Sequence, residues 1–205
     1  MKFLIIFLTI LFHFNTLYSE NWFTSAGNYN ASKYSSLNQI NQENVNQLEK
    51  TWVYNNGFKP NKEKNNYSNN QATPIFTGKN LIVSSLDNSL IALNPETGKE
   101  KWRIKLDGYL LAKRGFTYHN GNIFVPGSNG IYIVNEENGE LNTKMGKNGV
   151  IGLELKNLSL VPPVIHKNKI FKIFLKFITS HDISTGELLW KKELNGARVW
   201  SGVSY

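Results

Sequence analysis

One turn is written three times in this chain. Asn94-Pro95-Glu96-Thr97-Gly98 is followed four residues on by Trp102. Asn135-Glu136-Glu137-Asn138-Gly139 repeats the turn, and Asp182-Ile183-Ser184-Thr185-Gly186 repeats it again with Trp190 four residues on. The glycines stand 41 and 47 residues apart, a period that suits the blades of a β-propeller and not a helical array. The turn has a mechanical reason. An Asn or Asp at its head accepts backbone N–H groups two residues on, and the Gly supplies a positive φ that other residues resist. The tryptophan falls on the following strand, where it packs on a neighbouring sheet and its N–H finds an acceptor in a turn or sheet edge. Turn and tryptophan are architecture, not chemistry.

Around each turn, short runs of β-formers alternate with tight turns. Residues 73–76, 81–84, 90–93 and 100–104 read as one four-stranded meander. A second uses 116–118, 122–125, 131–134 and a weak last strand near Leu141, and a third uses 161–165, 169–173, 177–180 and 187–190. First and last hairpin turns lie 20 residues apart from Gly78 to Gly98, 18 from Gly121 to Gly139 and 18 from Asn168 to Gly186. The fold class is therefore all-β, a partial β-propeller of about three four-stranded antiparallel blades. The blades fall near 71–106, 107–150 and 151–195, in a region running to 205. Residues 20–70 form an N-terminal segment: a loop, a short helical turn beginning near Asn41, a strand at 51–54 and a charged, asparagine-rich loop after it.

Composition narrows the function. Cysteine is absent, which excludes a disulfide scaffold, a thiolate metal site, a Cys-X-X-Cys-His haem attachment, a cysteine nucleophile and a lipid-modified amino terminus. The net charge of +8 comes from 23 basic against 15 acidic residues. These are mostly scattered lysines with no basic stripe interleaved with aromatics, so no nucleic-acid partner is expected. Lys2, the apolar run 3–14, polar Asn15 and Thr16, and small Ser19 read as a secretory signal over 1–19. The run falls short of the ~20 apolar residues of a spanning helix. A periplasmic chain is expected, with an uncleaved anchor in the inner membrane as the alternative. His13, His119, His166 and His181 are dispersed, and neither a phosphate loop nor a nucleophile elbow is present.

The stretch Ile91-Ala92-Leu93-Asn94-Pro95-Glu96-Thr97-Gly98-Lys99-Glu100-Lys101-Trp102 resembles the repeat of the pyrroloquinoline-quinone (PQQ) dehydrogenase family. Residues 22–54 are similar to that family's opening, through Lys33-Tyr34-Ser35-Ser36-Leu37-Asn38-Gln39-Ile40 and Asn44-Val45 before Leu48 and Trp52. Gln71-Ala72-Thr73-Pro74 is similar to its Glu-x-Thr-Pro entry to the first blade, and Arg114-Gly115-Phe116-Thr117-Tyr118 to its Arg-Gly-Val-x-Tyr motif. Val161-Pro162-Pro163-Val164 and Val199-Trp200-Ser201-Gly202 also have counterparts, so the resemblance spans nearly the whole mature chain.

That resemblance implies an eight-bladed quinoprotein propeller holding PQQ and a calcium ion near its axis. It implies oxidation of a small alcohol or sugar by hydride transfer to the quinone, aided by a carboxylate base. Electrons then pass to an acceptor, a quinone or a cytochrome, and association with a membrane is left open. Arg114 matches the quinone-binding arginine, whose forked donors suit the cofactor's carboxylates. Gln71 falls where the family has a glutamate near the cofactor; its amide can hydrogen-bond a quinone oxygen but brings no charge. Ser159 lies near the place of a cofactor-binding threonine. The family's calcium-binding glutamate would fall within 172–176, which is hydrophobic and basic here, so no metal ligand and no catalytic residue is assigned. Three blades do not close a ring, and the expected carboxylate base would lie beyond Tyr205. The expectation is the N-terminal part of a periplasmic quinone-dependent dehydrogenase, inactive as this chain alone. The alternatives are a non-enzymatic, protein-binding propeller scaffold, which the missing lipidation cysteine and the family-like opening disfavour, and a sugar-binding module using Tyr109 and Tyr118.

Overall fold

The computed structural model describes residues 21–28, 30–59, 70–106, 114–127, 130–152, 161–174 and 176–195. The secretory segment at 1–19, Tyr109 and Ser159 lie outside the described residues. Among those described, the strands form three four-stranded antiparallel sheets, each a meander in chain order. Sheet 1 contains β1 (Ile75–Phe76), β2 (Leu81–Ser84), β3 (Ser89–Leu93) and β4 (Glu100–Lys105). Sheet 2 contains β5 (Thr117–His119), β6 (Asn122–Gly127), β7 (Gly130–Asn135) and β8 (Val150–Ile151). Sheet 3 contains β9 (Val164–His166), β10 (Lys169–Ile173), β11 (Phe177–Asp182) and β12 (Leu188–Glu193). This is the expected all-β partial propeller.

Sheet 2 is the middle layer, and its alternation shows it. Ile123, Val125, Tyr132 and Val134 turn to one face, where they pack with Ile75, Ile82 and Leu90 of sheet 1. Phe124, Ile131 and Ile133 turn to the other, against Ile165 and Ile170 of sheet 3. Successive side chains of a strand point to opposite faces, so a strand buried on both sides is apolar throughout. Strand β3, Ser-Leu-Ile-Ala-Leu, is buried at every position, whereas β12 is exposed at every position.

The recurrent turn is built as the sequence requires. Asn94 Oδ1 accepts the N–H groups of Glu96 and Thr97 at 3.0 and 2.8 Å, and Asp182 Oδ1 accepts those of Ser184 and Thr185 at 2.9 Å each. Each turn glycine has φ between +67° and +77°. The absent Cβ makes room for a neighbour. Trp52 lies on Gly98 and Trp102 on Gly139, each so close that a Cβ would fall 2.5 or 2.6 Å from the indole ring. Both indoles donate to the carbonyl of the turn's second residue, Trp52 to Pro95 at 3.1 Å and Trp102 to Glu136 at 2.8 Å.

Sheet 2 departs from the expected last strand near Leu141. Leu141 makes one isolated bridge to Val134, and the strand proper is β8, with Tyr132 paired to Val150. Two residues along β7 thus correspond to nine along its partner, so seven extra residues loop out. At the same place in sheets 1 and 3, between Ala92 and Leu93 and between Ser180 and His181, the ladder slips by a single residue. The six-residue difference equals the excess of the second turn spacing, 47 against 41. The 143–149 loop carries no alternation that would betray its path.

Two smaller expectations also shift. The helical turn near Asn41 is a three-residue 3-10 turn, Val45–Gln47. Residues 51–54 are extended but make no strand ladder. Their exposure alternates through 51–59, and they are strapped across β4 by side chains. Tyr54 Oη donates to Glu100, and the Arg103 guanidinium donates to Tyr54 Oη at 2.7 Å and to Glu100 Oε2 at 2.9 Å.

Candidate functional site

The segments entering β1, β5 and β9 meet at one end of the three sheets. Gly115, at φ +104°, lies against the backbone of Thr73; a Cβ there would sit 3.6 Å from the Thr73 carbonyl oxygen and 3.4 Å from Ser25 Cβ. Thr117 Oγ1 donates to the Pro163 carbonyl at 2.6 Å, joining sheet 2 to the entry of sheet 3. These contacts place the first strands around a common hub, as a propeller requires.

Two of the three candidate residues sit at this convergence. Arg114 immediately precedes Gly115 and is exposed; among the described residues it has no ion-pair partner. Gln71, two residues before Thr73, is exposed as well. Its neighbour Asn70 anchors the entry, with Nδ2 donating to the Ser84 carbonyl at 2.7 Å and Oδ1 accepting from Ala72 N at 3.1 Å. Tyr118, considered above for sugar stacking, instead packs on the N-terminal segment: its ring stacks on Phe23 at 5.3 Å and its N–H donates to the Phe23 carbonyl at 2.9 Å.

The structure adds a residue that the motifs do not single out. Lys172, on β10, is 3% exposed, and its Nζ donates to the Val161 carbonyl at 3.3 Å. Val161 belongs to the entry of β9, so the ammonium lies at the same end of the sheets as Arg114. It lines a small pocket between sheets 2 and 3 with Gly127, Gly130, Gly152, Phe174 and His181. Burial alone lowers its pKa from 10.5 to about 7, because the charged form is stripped of water. The signal was present in the sequence. Ile170, Lys172 and Phe174 are alternate residues, and the outer two are buried; a strand with that period carries the lysine inward.

His181 is held on both ring nitrogens, Nδ1 facing the Gly186 carbonyl at 3.2 Å and Nε2 facing Thr179 Oγ1 at 3.1 Å. Among the described residues no three His, Asp or Glu side chains converge in a way that would hold a metal ion.

Comparison with known proteins agrees with this architecture. The family model described as glucose/ethanol/alcohol dehydrogenase, beta-propeller domain, matches residues 22–170. Quinoprotein glucose dehydrogenase A of Acinetobacter calcoaceticus is 28% identical over 206 residues, covering 77% of this chain and 26% of that protein. Methanol dehydrogenase (cytochrome c) subunit 1 of Methylorubrum extorquens is 24% identical, over 86% of this chain and 30% of that protein. Among solved structures, a europium-containing methanol dehydrogenase superposes with a TM-score of 0.66 at 23% identity, over 86% of this chain and 32% of that one, and shares its fold. The molecule is thus a quinoprotein-type β-propeller. It belongs to the PQQ-dependent glucose, ethanol and alcohol dehydrogenase family. The chain spans between a quarter and a third of the length of these relatives.

Proposed function

We propose that this chain supplies part of the cofactor-facing hub of a PQQ-dependent dehydrogenase acting on small alcohols or sugars. The observation that carries the reading is Arg114, exposed beside the 71–73 entry and next to Gly115, whose missing side chain lets Thr73 and Ser25 approach closely. PQQ, when bound, accepts the hydride. The residues of this chain bind and orient. The Arg114 guanidinium pairs its two parallel N–H donors with a cofactor carboxylate, and Gln71 offers an amide N–H to a ring oxygen. Ser159 is the third proposed contact. Calcium is a different matter: the residues present do not fit it, because 172–176 offers a buried amine where a carboxylate would be needed, so no ligand is assigned to it.

The electron acceptor is proposed to be a quinone or a cytochrome; the methanol dehydrogenase relatives carry cytochrome c in their name. A periplasmic location follows from reading 1–19 as a cleaved signal, with an uncleaved anchor as the competing form. No helix among the described residues is long and apolar enough to cross a membrane. An exported protein beginning at Glu20 would support the cleaved form; one retaining Met1 would sink it.

Titration of the purified chain with PQQ, followed by quenching of tryptophan fluorescence, tests the site. Charge-assisted hydrogen bonds contribute about 1.5–3 kcal/mol, so Arg114→Gln should weaken binding by roughly tenfold or more. Equal affinity of the two proteins would remove Arg114 from the site, and no binding by either would remove the cofactor from this chain.

A further inference from the structure

We propose that the chain associates head to tail with a second copy of itself, the outer face of sheet 3 docking on the outer face of sheet 1 in place of the 51–57 strap. This inference does not depend on PQQ binding.

The two ends of the stack repeat the two sides of the seam between sheets 1 and 2. Sheet 1 grips sheet 2 with the row Ile82, Ala92 and Trp102, paired side by side across β2, β3 and β4, and the ladder slips just after Ala92. Sheet 3 carries the same row as Phe171, Ser180 and Trp190 across β10, β11 and β12, with the slip just after Ser180. Among the described residues no further sheet stands in front of this row. Trp190 is exposed, as are Leu188 and Leu189 beside it, whereas Trp102 is half-buried. A repeat array that ends without a polar cap exposes the surface that its inner members bury.

Sheet 2 receives the grip on Ile123, Val125, Tyr132 and Val134, just ahead of the Asn135 turn. Sheet 1 has Leu81, Val83, Ile91 and Leu93 at the same four places, just ahead of the Asn94 turn. They point away from sheet 2, because their alternates Ile82, Leu90 and Ala92 point toward it. One end of the molecule is therefore the counterpart of the other. Within a single chain the seat is taken, since Trp52 lies on Gly98 and donates to the Pro95 carbonyl. The strap adds no ladder behind that indole, and it is clasped at the surface by Tyr54, Glu100 and Arg103. Tethering gives Trp52 an effective concentration of about millimolar order, which a second copy must overcome. The two docking surfaces differ, so each bound copy leaves a free end, and association runs on into rings or filaments.

Sedimentation velocity of the intact chain over a series of concentrations reads the association, and hydrogen exchange locates it. Trp190→Ala should weaken self-association by roughly thirtyfold, as loss of an anchoring tryptophan does. Trp52→Ala, which empties the seat, should strengthen it by at least about tenfold. Arg103→Gln, which opens the clasp and leaves Trp52 in place, should act in the same direction. In the associated wild-type protein, residues 94–98 and 188–193 should exchange more slowly than in dilute solution. A chain that stays monomeric in the wild-type, Trp52→Ala and Arg103→Gln forms, association that survives Trp190→Ala, or association that leaves exchange at 94–98 unchanged would each overturn the proposal.

Discussion

The junction between sheets 1 and 2 and the junction between sheets 2 and 3 begin from the same five-residue turn and cover it in different ways. At the first, the Trp102 ring lies on Gly139 and its indole N–H reaches the Glu136 carbonyl. Glu136 is itself buried, and its carboxylate accepts from Thr77 Oγ1 and from Asn80 Nδ2 at 3.0 Å. At the second, the loop that swells the last strand of sheet 2 does the work. Gly146 presses its backbone onto Gly186, with Gly146 Cα 2.9 Å from where a Cβ on Gly186 would be, and Gly146 N–H donates to the Ser184 carbonyl at 2.9 Å. One junction is closed by an aromatic plate, the other by the Gly146 backbone with the Ile151 side chain beside it. The lesson is that the turn specifies a surface to be covered, not the residue that covers it. The second junction also holds a small pocket lined by Lys172.

The contrast can be broken most directly at the aromatic side. Trp102→Ala removes a large, half-buried ring and its hydrogen bond to Glu136, and unfolding in urea should show a loss of about 3 kcal/mol. The same change at Trp190, which is 43% exposed with Phe171 beside it at 6.1 Å, should cost under about 1 kcal/mol. A Trp190→Ala loss as large as that of Trp102→Ala would mean that the repeat, and not the coverage, sets the energy.

The pH dependence sharpens the comparison from the other junction. Folded Lys172 gives up its proton at about pH 7, whereas an ordinary lysine does so at 10.5. Between those values the unfolded chain holds the extra proton, so stability climbs with pH by at most about 1.4 kcal/mol per unit. Below pH 7 the slope from this group vanishes and its whole penalty is present. Lys172→Met should therefore stabilise the protein by a few kcal/mol at pH 6 and by progressively less towards pH 10, measured by urea unfolding across pH. A constant difference across that range would show that Lys172 is not buried in its neutral form.

Most of the fold was legible because turns and strands are local. Asn94, Asn135 and Asp182 each head a turn by bonding residues two and three ahead, so five letters suffice to place it. The strands of sheets 1 and 3 followed from those turns within three residues. The 143–149 loop was not legible, since an insertion announces itself only through the register it breaks, and the weak strand signal near Leu141 was a false start. Residues 51–54 misled for another reason: Trp-Val-Tyr favours extended backbone, but here the partners are side chains of β4 and not its ladder. At the site, Arg114 and Gln71 were named from motifs alone, and the structure brings their segments together through Gly115 and Thr73. Lys172 was passed over as part of a basic, hydrophobic run, because the burial of a charged residue is decided by the neighbouring sheet and its own strand states it only as a period of two.

The strap over β4 has a consequence of its own. Trp52 meets sheet 1 in the same pose that Trp102 adopts toward sheet 2, down to the carbonyl it addresses, though no ladder stands behind it. One indole and the Arg103 clasp on Tyr54 and Glu100 thus do for the first blade what an entire neighbour does for the second. Since that clasp is ionic and lies at the surface, rising salt should loosen the covering of the first blade and leave the greasy seams between the blades untouched.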